Sequence, residues 1–187
     1  MATSNDFRNG MALKVDGNLV TIVEFQHVKP GKGGAFVRSK LKNVRTGAVV
    51  EKTWRAGEKV EEVRLERISM QYLYRDGDMF HVMDQETYEQ LTLNRELFGE
   101  QADLLKENEV VTVLMHGETP LTAEIPNFVE LEVTETEPGF RGNTAQGALK
   151  PAKLETGATV NVPLFINVGD VLRIDTRSKS YVERAKR

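Results

Sequence analysis

The chain has 187 residues, 40% hydrophobic and 28% charged, with no cysteine and a formal net charge of -3. That is enough for one large domain or up to three small ones, and the absence of cysteine excludes a disulfide framework and a thiolate zinc site, as befits a reducing cytosol. No apolar run approaches the roughly 20 residues of a membrane span, and the opening segment carries Asp6, Arg8, Lys14 and Asp16 where a signal peptide would be apolar, so a soluble, cytoplasmic protein without a membrane partner is expected.

The first predicted element is a hairpin. An Asp16-Gly17 turn leads into Leu19 to His27, which is rich in β-branched and aromatic residues, and a second strand runs from Ala35 to Leu41. Between them lies Lys29-Pro30-Gly31-Lys32-Gly33-Gly34, a bend with one lysine at its centre. Lys32 is followed by glycine rather than by the Ser/Thr of a Gly-x-x-x-x-Gly-Lys-Ser/Thr loop, and Phe36 stands where a dinucleotide fingerprint needs its third glycine, so the bend is not a phosphate cradle. It reads instead as an extended probe tipped by Lys32.

Further turns follow at Arg45-Thr46-Gly47, at Arg55-Ala56-Gly57-Glu58 and at Arg75-Asp76-Gly77-Asp78, the last between Tyr72-Leu73-Tyr74 and Phe80-His81-Val82. Short strands at roughly ten-residue spacing point to small antiparallel barrels, an all-β fold. The spacing of Phe98, Ala102 and Leu105 predicts a helix over Arg95 to Glu107 that plugs one barrel. Boundaries are expected near Val63–Glu66 and Pro126–Val129, giving domains 1-64, 65-128 and 129-187. Their charges differ: twelve Lys/Arg against seven Asp/Glu in the first, four against thirteen in the second, nine against eight in the third. A basic end beside an acidic middle suits a molecule that sets one face on a polyanion.

Strand alternation from Ala35 onward places Phe36, Arg38, Lys40 and Lys42 on one face, the footprint expected for tracking a phosphate backbone. The histidines His27, His81 and His116 are scattered over separate strands, so no metal site is expected. Asp76, Asp78, Asp84, Glu86 and Glu89 suit turns and surface, and no catalytic residue or cofactor is indicated. Tyr72, Tyr74, Phe80 and Tyr88 are expected as cross-strand core. Pro138 to Pro151 reads as an irregular binding loop exposing Arg141, Gly142, Asn143, Thr144 and Lys150. A basic tail, Arg177 to Arg187, closes the chain.

Together, Val28-Lys29-Pro30-Gly31-Lys32-Gly33, Tyr72-Leu73-Tyr74, Glu86-Thr87-Tyr88-Glu89-Gln90, Pro126 to Val133, Lys150-Pro151-Ala152, Val162-Pro163-Leu164-Phe165, Asp175-Thr176-Arg177 and Tyr181-Val182-Glu183-Arg184 resemble the bacterial elongation factor P family, in order and nearly end to end. The resemblance implies a KOW-type barrel followed by two oligonucleotide-binding-type (OB) barrels in an elongated L. It implies a translation factor, not an enzyme, that binds the ribosome as a monomer beside peptidyl-tRNA and relieves stalls at consecutive prolines. Lys32 would then carry an extension added by a lysine-modifying enzyme, supported by Lys29, Pro30, Gly31, Gly33 and Gly34. The 141–144 loop would approach the exit-site mRNA codon, and Tyr181 and Arg184 the small subunit. Gly142-Asn143-Thr144 and Gly147-Ala148 depart from the family's usual Gly-Asp-Thr and glycine pair. The rival readings are a general RNA-binding chaperone and an enzyme using Lys32 as a Schiff-base nucleophile; a glycine-rich tip offers no desolvating pocket for the latter.

Overall fold

A computed structural model describes residues 1–139 and 148–185. Among the described residues every regular element is a β-strand or a short 3-10 turn, and the strands form three antiparallel five-stranded sheets. The first comprises β1 (Ala12–Val15), β2 (Asn18–Val28), β3 (Phe36–Asn43), β4 (Val49–Arg55) and β5 (Glu61–Glu62), in the order β4-β3-β2-β1-β5. The second contains β6 (Glu66–Asp76), β7 (Met79–Asp84), β8 (Gln90–Asn94), β9 (Val110–His116) and β10 (Thr119–Glu124), ordered β10-β9-β6-β7-β8. The third holds β11 (Phe128–Thr136), β12 (Leu149–Leu154), β13 (Thr159–Pro163), β14 (Val171–Asp175) and β15 (Ser180–Arg184), ordered β13-β12-β11-β14-β15. Its end strands β13 and β15 approach one another, curling the sheet nearly closed.

The chain groups into two compact units, Met1–Arg67 with Leu114–Thr122, and Ile68–Val113 with Ala123–Arg187. In the first, alternate residues of each strand turn inward: Val37, Ser39 and Leu41 from β3 meet Leu13, Val20, Ile22, Trp54 and Val60. The Trp54 indole N–H donates to the Ser39 hydroxyl at 2.8 Å, and that hydroxyl donates to the Lys52 carbonyl at 3.1 Å, so the two polar groups in this core satisfy each other. Phe7 meets the Trp54 ring edge-on at 5.5 Å. In the second unit, Met70, Tyr72, Phe80, Val82 and Leu93 line the inner face of the second sheet, and Val129, Leu131, Val133, Val160, Leu172 and Ile174 that of the third.

Three expectations are corrected. The stretch Arg95 to Glu107 is two 3-10 segments, Arg95–Leu97 and Gly99–Leu104, broken where Gly99 takes φ 63°. The face that suggested a helix is still the buried one: Phe98, Ala102 and Leu105 point inward, with Phe98 4.9 Å from Phe80. The supposed tail is an edge strand from Ser180 to Arg184, paired with β14. Finally, Tyr72 and Phe80 are core, but Tyr74 and Tyr88 are 51% and 71% exposed. Tyr74 stacks on His81 at 4.2 Å on the outer face of the second sheet, because the shift in register between Tyr72 and Tyr74 turns the later tyrosine outward.

Candidate nucleic-acid interface

The lysine loop is built by the longest pairing of the first sheet. β2 and β3 pair from Val20↔Asn43 to Val28↔Phe36, with one shift of register between Ile22 and Glu24, leaving Lys29–Ala35 as the connection. Gly31 to Ala35 are exposed, as is Lys29, while Pro30 is half-buried. Lys32 makes no ion pair with a described residue and stands free at the tip. The three glycines do different jobs. Gly33 takes φ 115°, which a side chain rarely adopts, whereas a Cβ on Gly31 or Gly34 would meet no atom within 4 Å. The fold therefore requires one glycine of the three.

Behind the tip, β3 presents Arg38, Lys40 and Lys42 on its outer face, with Phe36 half-buried at its start. The guanidinium of Arg38 lies 5.5 Å from the centre of the Phe36 ring, and its cross-strand neighbours are the uncharged Gln26 and Thr53. Lys42 lies between Thr21 and Val49. Lys40 differs: its ammonium is 3.0 Å from the Glu24 carboxylate and its other cross-strand neighbour is Glu51. The hydrogen bond to Glu24, then the charges of Glu24 and Glu51, raise its pKa. The face thus offers two uncompensated cations, Arg38 and Lys42, around one already neutralised. The carboxylates opposite Lys40 are on β2 and β4, and without the register nothing in the β3 sequence announces them.

On the third sheet, Arg141, Gly142, Asn143 and Thr144 fall outside the described residues. Lys150, expected on an exposed loop, is a correction: it belongs to β12, is buried, and its ammonium donates to the backbone carbonyl of Glu137. Its aliphatic stem fills space on the inner face while the charge reaches a carbonyl, so its polarity misled the reading from sequence. Tyr181 is half-buried opposite Ile174. Arg184 is exposed, 4.0 Å from the Asp170 carboxylate and 5.7 Å from the centre of the exposed Phe165 ring. The Lys32 tip belongs to one compact unit, and Tyr181 and Arg184 to the other.

Among the described residues, no three His, Cys, Asp or Glu side chains group as a metal would require, and no helix is long and apolar enough to cross a membrane. The acidic residues of the second sheet act locally. Asp84 accepts from the backbone N–H groups of Glu86 at 2.8 Å and Thr87 at 3.3 Å, closing the β7–β8 turn, and these bonds lower its pKa.

Three family models match the chain: the elongation factor P KOW-like domain over residues 3–60, the elongation factor P OB domain over 65–123, and the elongation factor P C-terminal domain over 129–184. Among curated relatives, the elongation factor P of Natranaerobius thermophilus is 56% identical over 186 residues, covering 100% of this chain and 99% of that one. The elongation factor P of Moorella thermoacetica is 57% identical, covering 99% of this chain and 100% of its own. Among solved structures, the eukaryotic translation initiation factor 5A from Methanococcus jannaschii is similar with a TM-score of 0.51 and 27% identity, covering 67% of this chain and 90% of that one. A factor of the same name family from Naegleria fowleri, at 17% identity and a TM-score of 0.53, shares the fold. With domain matches along its length and full-length relatives above half identity, the chain belongs to the elongation factor P family of translation elongation factors.

Proposed function

We propose that this elongation factor acts in the cytoplasm by binding the ribosome beside peptidyl-tRNA and promoting peptide-bond formation at consecutive prolines, with Lys32, extended by a modifying enzyme, as the working tip. The observation that carries the reading is the exposed Lys32, held at the end of the β2–β3 hairpin and engaged by no described residue of its own chain. A lysine with no structural task on a glycine-flanked tip is available to an external partner. We read the chain as three domains, 1-64, 65-128 and 129-187, in which the first presents Lys32 and the basic β3 face while the third supplies the 141–144 loop toward the exit-site codon and Tyr181 and Arg184 toward the small subunit.

The chemistry asked of the factor is positional. Proline's ring fixes φ and restricts how its nitrogen approaches the peptidyl ester, so much of the barrier lies in orientation. A lysine-based splint along the acceptor end of peptidyl-tRNA lowers that part of the barrier by ordering the reactants, and the bond-making itself stays with the ribosome. Arg38 and Lys42 contribute phosphate contacts below the tip. The test is ribosome co-sedimentation alongside synthesis of a Pro-Pro-Pro peptide, comparing wild type with Lys32→Ala. Retained binding with lost synthesis supports the reading. Equal synthesis by both proteins points to the RNA-binding chaperone, which needs no unique lysine.

A further inference from the structure

The buried Lys150 and the piece of chain it holds have no task in the reading above. β11 and β12 pair as far as Thr136↔Ala152, and in that register the next pair would set Glu137 against Pro151. Proline has no N–H to give, and side chains take over from the backbone: the Lys150 ammonium donates to the Glu137 carbonyl, and the Thr136 hydroxyl donates to the Pro151 carbonyl at 3.0 Å. Lys150 lies on the inward face of β12 with Ala152 and Leu154, opposite the buried Val162 of β13, and is itself 6% exposed. An ammonium at such depth is costly unless an acceptor is brought to it, and among the described residues the Glu137 carbonyl is the one it has. An aliphatic side chain would fill the same space without that cost. Core packing therefore does not ask for a lysine here; what the lysine adds is the tie to Glu137.

Two residues further on, Gly139 lies against Leu164, which follows β13, the strand on the far side of β12 from β11. A Cβ on Gly139 would collide with the Leu164 carbonyl oxygen and come within 3.1 Å of its carbonyl carbon, so this close approach of two backbones requires glycine. The chain leaving β11 is thus held at two successive points, at Glu137 by a buried side chain of β12 and at Gly139 by the backbone after β13. Both points come immediately before Arg141-Gly142-Asn143-Thr144 in the sequence. The returning end is held as well, since Leu149 pairs with Pro163 at the start of β12.

We propose that Lys150 and Gly139 are positioning residues, which touch no RNA themselves but fix the direction in which the chain enters the 141–144 segment. The proposal rests on the reading that this segment meets the exit-site codon, and adds to it the residues that aim it. A merely structural role would lower stability and affinity whatever the ribosome carries, whereas an aiming role shows only when the codon is there. The experiment measures affinity of the full chain for purified 70S ribosomes carrying initiator tRNA on two messengers. One has a leader, which fills the exit-site codon; the other begins at its start codon, which leaves that position empty. Wild type should bind the leadered complex severalfold more tightly. Lys150→Met keeps the unbranched stem and removes the ammonium, while Gly139→Ala leaves every core side chain in place and displaces the chain from Leu164. Each should bring affinity for the leadered complex down to the leaderless value and leave the leaderless value unchanged. Thermal midpoints identify a variant that has failed to fold, and if Lys150→Met is one, Gly139→Ala decides alone. A leader-dependent advantage kept in full by Gly139→Ala, or an equal loss on both messengers, would overturn the proposal. Equal binding of wild type to both complexes would instead remove the codon reading itself, and the proposal with it.

Discussion

Around Lys32, each side chain can be asked what the fold needs of it. Gly33 holds φ 115° and Gly31 and Gly34 have open space where a Cβ would go. Gly33→Ala should therefore cost on the order of 1 kcal/mol in chemical denaturation, whereas Gly31→Ala and Gly34→Ala should leave stability within about 0.5 kcal/mol. Equal losses at all three would mean that the loop packs against the protein. The cationic face divides similarly. Arg38→Ala and Lys42→Ala should weaken ribosome binding and flatten its salt dependence, while Lys40→Ala should change the slope little, because Glu24 and Glu51 already compensate that charge. A slope change at Lys40 equal to that at Arg38 would refute the division. The lysine tip and the β3 face were legible in sequence because alternation and turn chemistry are local rules. Lys150 was not, because only the approach of the Glu137 carbonyl makes a buried ammonium tolerable, and that approach is tertiary.

Strands and turns were read more reliably than the plug. Two hydrophobic runs around a glycine-rich bend became β2 and β3 within about two residues of expectation. The Phe98, Ala102, Leu105 spacing correctly marked a buried face, but Gly99 and the Asn94 cap, which accepts from Glu96 N–H at 3.0 Å, divide the segment into 3-10 turns. The β7–β8 turn yields a pH prediction. Backbone hydrogen bonds hold Asp84 below the ordinary carboxylate value, so its folded pKa is depressed relative to about 3.9 in the unfolded chain. Its contribution is then complete above the unfolded value and is lost as pH falls through the folded one. Thermal midpoints of wild type and Asp84→Asn should differ most near neutrality and converge as the pH falls through the depressed folded value, where the wild-type carboxyl takes up its proton. A gap that widens on acidification would contradict the assignment of the turn to the carboxylate.

Across the whole molecule, an all-β chain of three antiparallel sheets follows from turn spacing, and matches to KOW-like and OB families give those sheets their lineage. The uneven charge, +5 over 1-64, -9 over 65-128 and +1 over 129-187, was visible in sequence. Which cations remain uncompensated was not, since that depends on cross-strand partners such as Glu24. The central claim is that Lys32, as an extended lysine and not as a bare charge, does the work. Its most direct test is a Pro-Pro-Pro synthesis assay in cells producing Lys32→Ala or Lys32→Arg, with ribosome binding measured in parallel. Arginine keeps the positive charge but is no substrate for a lysine-directed modification. The account predicts that both variants bind ribosomes to within a few fold of wild type and that both fail to relieve the stall; full relief by Lys32→Arg would contradict it.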